Sequence, residues 1–127
     1  MKKLNLFYFS FIFCSVSTYG QTQSSLTATV YHAVEKQCNA DFAHTATNFE
    51  LNLKDPYSHR IIAISRDLET KGFKMNDAVI VTGAGKYSGR WVIRDRMNKR
   101  WKSRIDFLIN VDMPQGKWED VSIEKIN

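Results

Sequence analysis

Two aspartates, Asp95 and Asp106, stand in settings that could support acid–base chemistry. Asp95 comes directly after residues 91–94, an alternating run that predicts a strand, and a basic loop follows it. Asp106 lies inside a second alternating run, residues 105–109. A carboxylate costs several kcal/mol to bury unless it is paired or its pKa rises. Two carboxylates held close together raise one pKa, which keeps a proton available near neutral pH.

A structural explanation is also open for Asp106, because it could face solvent or pair with a nearby arginine. The candidate arginines belong to the densest cluster of positive charge in the chain, which comprises Arg94, Arg96, Lys99, Arg100, Lys102 and Arg104. This cluster could attract anionic groups of a ligand, or it could be a solvated loop. Arginines close to the aspartates would also lower the pKa that an acid role needs raised.

The elements that must position these residues are mostly strands. Alternating or continuous apolar runs predict strands at residues 26–34, 60–65, 78–82, 91–94, 105–110 and 118–126, with a further short strand at 49–53. Residues 66–71 predict one or two helical turns, with Ser65 as the N-cap and Gly72 as the stop. Six principal strands with little helix predict an all-β fold closed into a barrel.

The spacing of Asp95 and Asp106, with ten residues between them and the second in the triplet Arg104-Ile105-Asp106, resembles the three-aspartate (3D) domain. That domain occurs in membrane-bound lytic transglycosylase A and in secreted cell-wall enzymes. A Thr-x-Tyr strand followed by a polar loop and Thr-Ala also resembles rare-lipoprotein-A-like barrels. The resemblance implies a six-stranded double-psi β-barrel with one or two short helical turns over residues 26–127. Met97 and Asn98 stand where the family has Gly-Gly.

The family's first aspartate belongs to an Ile-Ala-Val-Asp strand, and the matching stretch here ends in Ser65. Asp67, two positions later, could replace it if the strand continues that far. If a helical turn begins at Ser65, Asp67 is a favourable first-turn charge. Asp41, near Thr45 and Ala46, is the competing candidate.

The resemblance implies a protein that acts on the glycan strands of peptidoglycan by lytic transglycosylase-type cleavage. Asp106 would be the acid/base, and Asp95 would keep the site polar and the substrate aligned. The expected substrate contacts are Arg94, Arg96, Arg104, Trp101 and Tyr31. One alternative is a non-catalytic peptidoglycan-binding barrel, and another is a barrel that binds a protein partner. We expect no cofactor, and the three histidines lack the spacing of a metal site.

Residues 1–20 predict a secretory signal peptide, with Lys2 and Lys3 before an apolar run too short to span a bilayer comfortably. An uncleaved anchor is one alternative. A lipoprotein attached through Cys14 is another, but bulky Phe13 stands before the cysteine, where such sites have a small residue. Residues 21–25 would be a loose leader. We expect export to the periplasm or cell envelope, no stable membrane insertion after cleavage, and a monomer.

Cleavage after residue 20 would leave Cys38 as the remaining cysteine, so no internal disulfide is expected. Cys38 is predicted to be a small buried residue, although a thiol nucleophile with His32 or His44 is an alternative. Loss of Lys2 and Lys3 lowers the net charge from +5 by two, to +3. This mild charge on an exported chain argues against nucleic-acid binding.

Overall fold

Six segments with alternating or continuous apolar side chains form the strands in the part of this protein that the structure describes. The computed structural model describes residues 20–34, 44–47 and 49–126. The strands are β1 (Thr22–Tyr31), β2 (Ile61–Ile64), β3 (Ala78–Thr82), β4 (Gly89–Arg96), β5 (Arg104–Leu108) and β6 (Trp118–Lys125). Cys38, Asp41 and most of the predicted signal peptide lie outside the described residues.

The strands close into one barrel in the order β1-β5-β2-β4-β3-β6. Two neighbouring pairs are parallel, β1 with β5 and β2 with β4. The other four pairs are antiparallel. Although β4 and β5 are consecutive in sequence, β2 lies between them, and β5 likewise lies between β1 and β2. These two insertions place parts of the chain that are distant in sequence side by side.

The interior of the barrel is filled by an apolar core with an aromatic centre. Phe107 is fully buried, with its ring centroid 4.7 Å from that of Trp91 and 5.6 Å from that of Tyr87. Trp118 is partly buried and packs against this group at 6.1 Å from Phe107. Edge-to-face and tilted pairs at these distances add to the free energy gained from burial alone.

A second, smaller apolar cluster lies on the outer surface of the barrel. Ile61 and Leu108 alternate along their strands with interior residues, so their side chains point outward. Leu51 completes this cluster, and Phe49 and Tyr31 pack against it. The segment that contains residues 49–51 therefore covers one outer face of the barrel.

The prediction of an all-β, six-stranded closed barrel is confirmed. The helical turn is α1 (Arg66–Thr70), which begins after Ser65 and is followed by Gly72 at a φ of 103°. This left-handed conformation favours glycine and ends the helix. Short 3-10 helices occupy Pro56–His59 and Gly85–Tyr87. No helix in the described part of the chain is long and apolar enough to cross a membrane.

Two expectations about local structure differ from what is observed. Residues 49–53 do not form a strand; this region contributes a single bridge between His44 and Glu50. Thr22–Ser25 are not a loose leader, because they belong to β1 and extend it along β6, where Thr22 pairs with Glu124. Pairing with a neighbouring strand satisfies the backbone of this polar segment without any need for an apolar pattern.

Replacing Phe107 by Ala should lower the free energy of unfolding by about 3–5 kcal/mol, because it opens a cavity among aromatic rings. Val111→Ala is the matched control, since Val111 is 70% exposed and its loss should cost about 0.5 kcal/mol or less. Urea unfolding followed by tryptophan fluorescence measures both. Equal effects of the two substitutions would contradict the central place of Phe107.

Candidate functional site

The register of the sheet brings Asp95 and Asp106 to one face of the barrel. Ala63 on β2 pairs with Asp95 on one side and with Asp106 on the other. Thr29 on β1 pairs with Asp106 and extends the row. Directly paired residues present their side chains on the same face. Strands lie about 4.8 Å apart, so the two aspartate Cα atoms are about 10 Å apart, and the methyl group of Ala63 leaves space between them.

A β-bulge at Arg94 is what turns Asp95 toward this face. Ile62 pairs with Ile93, but the next residue, Ala63, pairs with Asp95, so Arg94 is an extra residue in β4. An inserted residue shifts the alternation of side chains by one position. Without the bulge, Arg94 would stand opposite Ala63 and Asp95 would point the other way.

Asp95 accepts three hydrogen bonds from described residues. The backbone N–H groups of Ala46 and Arg96 donate to Oδ1 at 3.0 and 2.9 Å, and the Tyr31 hydroxyl donates to Oδ2 at 3.2 Å. Burial raises the pKa of the Asp95 carboxyl, and the three bonds and the Arg96 charge oppose this without cancelling it. Asp95 is thus a firmly oriented carboxyl with a raised pKa.

Asp106 is bound more loosely. The Thr29 hydroxyl donates to its Oδ1 and is its only hydrogen-bond partner among the described residues. Burial raises the pKa of Asp106, and the negative charge of Asp95 raises it further. The Thr29 bond and the positive charge of Arg104 act in the opposite direction, yet the pKa stays raised. The side chain is half-buried, so the carboxyl is partly desolvated but within reach of solvent.

Two of the three predicted substrate-binding arginines are occupied elsewhere. Arg96 forms a bidentate ion pair with Glu69, with both N–O distances at 2.8 Å. Arg94 donates to the Asn76 amide oxygen at 2.8 Å. Within the described residues Asp106 forms no salt bridge with any arginine. Ion pairing in the basic cluster, one of the two structural explanations for Asp106, is therefore not realised in this part of the chain.

Arg104 and Trp101 lie together beside Asp106. The Arg104 guanidinium carbon is 4.1 Å from the centroid of the Trp101 ring, and that of Arg100 is 4.9 Å from it. Arg104 also donates two long hydrogen bonds, 3.4 Å from Nε and 3.3 Å from Nη2, to the Thr29 hydroxyl. Trp101, an expected substrate contact, is half-buried, and arginine side chains lie over its ring.

The supporting candidates Ser65 and Asp67 fix the start of β5 and do not join the row. Ser65 Oγ accepts from the Arg104 backbone N–H at 3.0 Å, and Asp67 Oδ2 accepts from the Ser103 N–H at 3.0 Å. Burial acts to raise the pKa of Asp67, but hydrogen bonds from Ser65 and Ser103 outweigh it and leave that pKa lowered. Asp67 lies in the first turn of α1, as the helical alternative predicted.

Sequence reasoning did not single out Thr29, Ala63 or Ala46 as parts of the site. The Thr-x-Tyr pattern of β1 offered one signal, because it puts Thr29 and Tyr31 on the same face of a strand. No three His, Cys, Asp or Glu side chains within residues 20–34, 44–47 and 49–126 are placed to hold a metal ion. Comparison with known proteins finds no matching family model, curated protein or solved structure.

The pKa of Asp106 predicts how stability changes with pH. Since this pKa is raised in the folded protein, the free energy of unfolding falls as the pH rises from the ordinary value of 3.8 through the folded-state pKa. Asn cannot ionise, so Asp106→Asn should melt above wild type at neutral pH and alongside it below the ordinary pKa. Thermal melts over a pH series measure this difference.

Asp67→Asn is the matched control with the opposite sign. Its lowered pKa means that the ionised group stabilises the fold above the ordinary pKa, and that this stabilisation is lost as the pH falls. Asp67→Asn should therefore melt below wild type at neutral pH. If Asp106→Asn were also destabilised there, Asp106 would be acting as a structural charge.

Proposed function

We propose that this protein is a secreted barrel of the three-aspartate type that cleaves the glycan strands of peptidoglycan by lytic transglycosylation. The observation that carries the proposal is the row in which Asp95 and Asp106 flank Ala63 on one face of the barrel. We further propose the double-psi form of the barrel. The insertion of β2 between β4 and β5, and of β5 between β1 and β2, supports it.

The two carboxyls would divide the work between them. Asp95 has both oxygens engaged in hydrogen bonds that favour its ionised form against the effect of burial, which suits a group that orients the substrate. Asp106 has a single hydrogen-bond partner among the described residues and a pKa raised by burial and by Asp95. A general acid needs such a pKa, because its proton must still be present near neutral pH.

Protonated Asp106 would donate its proton to the glycosidic oxygen as the bond from that oxygen to the sugar C1 breaks. Positive charge then develops on the sugar, and Asp95 lies on the same face to stabilise it. The Asp106 carboxylate next takes the proton of the sugar's own 6-hydroxyl, whose oxygen bonds to C1 and closes a 1,6-anhydro ring. Asp106 ends protonated as it began, so one acid/base residue completes the cycle without water.

This activity is consistent with the predicted export of the protein. A signal peptide over residues 1–20 would deliver the barrel to the periplasm or cell envelope, where its substrate is found. We propose that it works there as a monomer on the polymer. The mild positive charge expected after cleavage suits an anionic wall polymer.

A non-catalytic peptidoglycan-binding barrel is the second candidate, and one observation favours it. Met97 stands where the family has the first glycine of its Gly-Gly pair, and its side chain is buried at 7% exposure. Its N–H donates to the Ile64 carbonyl at 2.9 Å, so the residue is part of the packed frame. Glycines allow a close approach of ligand to backbone, and their loss removes that freedom beside Asp95.

Asp106→Asn should lower the formation of 1,6-anhydro products from purified peptidoglycan by about 10²–10⁴-fold, because general acid–base catalysis contributes about that much. Asp95→Asn should have a smaller effect, since its role is to orient and to tune. Mass analysis of the released muropeptides gives the product, and a pull-down with insoluble peptidoglycan gives binding.

The same measurements separate the two candidates. A binding barrel yields no anhydro product from wild type, and its aspartate variants change affinity alone. Asp120→Asn, an exposed substitution on β6, controls for the loss of one negative charge and should leave product formation unchanged. Anhydro product formed at the wild-type rate by Asp106→Asn would contradict the catalytic role.

A further inference from the structure

We infer that Arg104 is a carboxylate-binding residue beside Asp106, and that it directs the site to glycans carrying a carboxylate close to the bond that is cleaved. The inference rests on the proposed function and names the feature of the substrate that is recognised. In peptidoglycan such a carboxylate has two sources, the stem peptide or the lactyl group of a muramic acid from which the stem has been removed. Either would present the same chemistry to a guanidinium.

Arg104 is a half-buried cation that interacts electrostatically with Asp106 but is not within salt-bridge distance of it. Among the described residues it forms no salt bridge, whereas Arg96 forms a bidentate ion pair with Glu69. Its Nε and Nη2 reach the Thr29 hydroxyl, and Nη1 has no hydrogen-bond partner in the described chain. A guanidinium has five N–H donors and pairs well with carboxylates, so part of this fork is left for a ligand.

The guanidinium is also held in place before any ligand arrives. It lies over the Trp101 ring at 4.1 Å and is tethered to Thr29. An arginine stacked on an aromatic ring loses less side-chain freedom when it binds an anion. This preorganisation distinguishes Arg104 from the exposed Lys99 and Lys102 of the same basic loop.

Arg104 is coupled to Asp106 through a shared hydroxyl. The two residues are two positions apart on β5 and so project from the same face. Arginine can only donate, so Thr29 Oγ1 accepts from Arg104 and directs its own proton to the Asp106 carboxylate. An anion bound on Arg104 would therefore lie next to the group that handles the proton.

In this arrangement a bound substrate carboxylate would influence the protonation of Asp106. Within the part of the chain that the structure describes, the charged and titratable groups that face Asp106 are Arg104 on its own strand, Asp95 across Ala63, and Tyr31 of β1, which donates to Asp95. In the free protein the Arg104 charge lowers the pKa of Asp106. A carboxylate on Arg104 neutralises that charge, so binding should move the pKa of Asp106 upward. Asp106 would then hold its proton best when the correct glycan is present.

The first test is binding by the full folded protein to three probes that differ in their carboxylates. These are intact glycan strands with peptide stems, strands whose stems an amidase has removed to free the lactyl carboxylate, and neutral N-acetylglucosamine oligomers. Wild type should bind at least one carboxylated probe about 10-fold or more tightly than the neutral oligomer, as a charge-assisted pair allows. Preference for stem-free or for intact strands identifies the lactyl group or the stem as the source. Equal affinity for all three overturns the inference.

Variants of Arg104 separate the contribution of the planar guanidinium group from that of its positive charge. Arg104→Gln should abolish the preference, and Arg104→Lys should keep part of it, because lysine retains the charge without the planar fork. Arg100→Gln is the matched control, since Arg100 lies over the same Trp101 ring and carries the same charge; the preference should persist. If Arg104→Gln retained the preference in full, the inference would fail. Circular dichroism confirms that each variant is folded. If Arg104→Gln does not fold, Arg104→Lys still tests the inference.

The second test measures the pKa of the Asp106 carboxyl by NMR, with and without N-acetylmuramic acid. The pKa should rise with this carboxylated sugar and stay unchanged with N-acetylglucosamine. In Arg104→Gln it should begin higher and respond to neither. No rise in wild type would overturn the coupling. A carboxylate preference without any anhydro product would support the Arg104 subsite and contradict the proposed transglycosylase activity. Formation of anhydro product without a carboxylate preference would support the activity and contradict the subsite.

Discussion

The pairing of β2 with strands on both of its sides is the constraint on which this site depends. β2 has four residues, all buried, and its hydrogen-bond ladders to β4 and β5 run in opposite senses. Ala63 is therefore fixed relative to two strands at once, and the residues opposite it are fixed too. A slip of one position on either ladder would turn an aspartate to the other face. The cost of burying the neighbouring isoleucines incorrectly is what prevents that slip.

The same register explains why a charged row can exist on an otherwise apolar frame. Residues on either side of Ala63 fill the barrel interior, and the stability gained there offsets the desolvation of Asp95 and Asp106. The outer cluster around Leu51 and Leu108 adds a second anchor for the segment whose Ala46 N–H reaches Asp95. Ionised carboxyls with raised pKa values thus lower the free energy of unfolding, and the surrounding packing offsets this loss.

Much of this architecture could be predicted from the sequence, and the reasons are specific. Alternation located β3 at residues 78–82 without error, and the apolar run before Ser65 gave β2, because such patterns report directly on burial. The strand order could not be derived, since it depends on long-range pairings that leave no local pattern. The pairing of residues 22–25 with β6 was missed for the same reason. The division of roles among Arg94, Arg96 and Arg104 was also out of reach, because it depends on Glu69, Asn76 and Thr29, which are distant in sequence.

The bulge at Arg94 has a consequence for how this sequence can change over time. It divides β4 into two stretches whose alternation differs by one position. Before the bulge, Trp91 and Ile93 point into the aromatic interior, and after it Asp95 points to the carboxyl row. A deletion of one residue here would leave the length of the strand nearly unchanged and yet exchange the two environments. Insertions and deletions in β4 should consequently be far less tolerated than substitutions at Arg94 itself. A change in the alternation of apolar positions within β4, seen when related sequences are compared, would therefore indicate the site even in sequences where the aspartates are replaced.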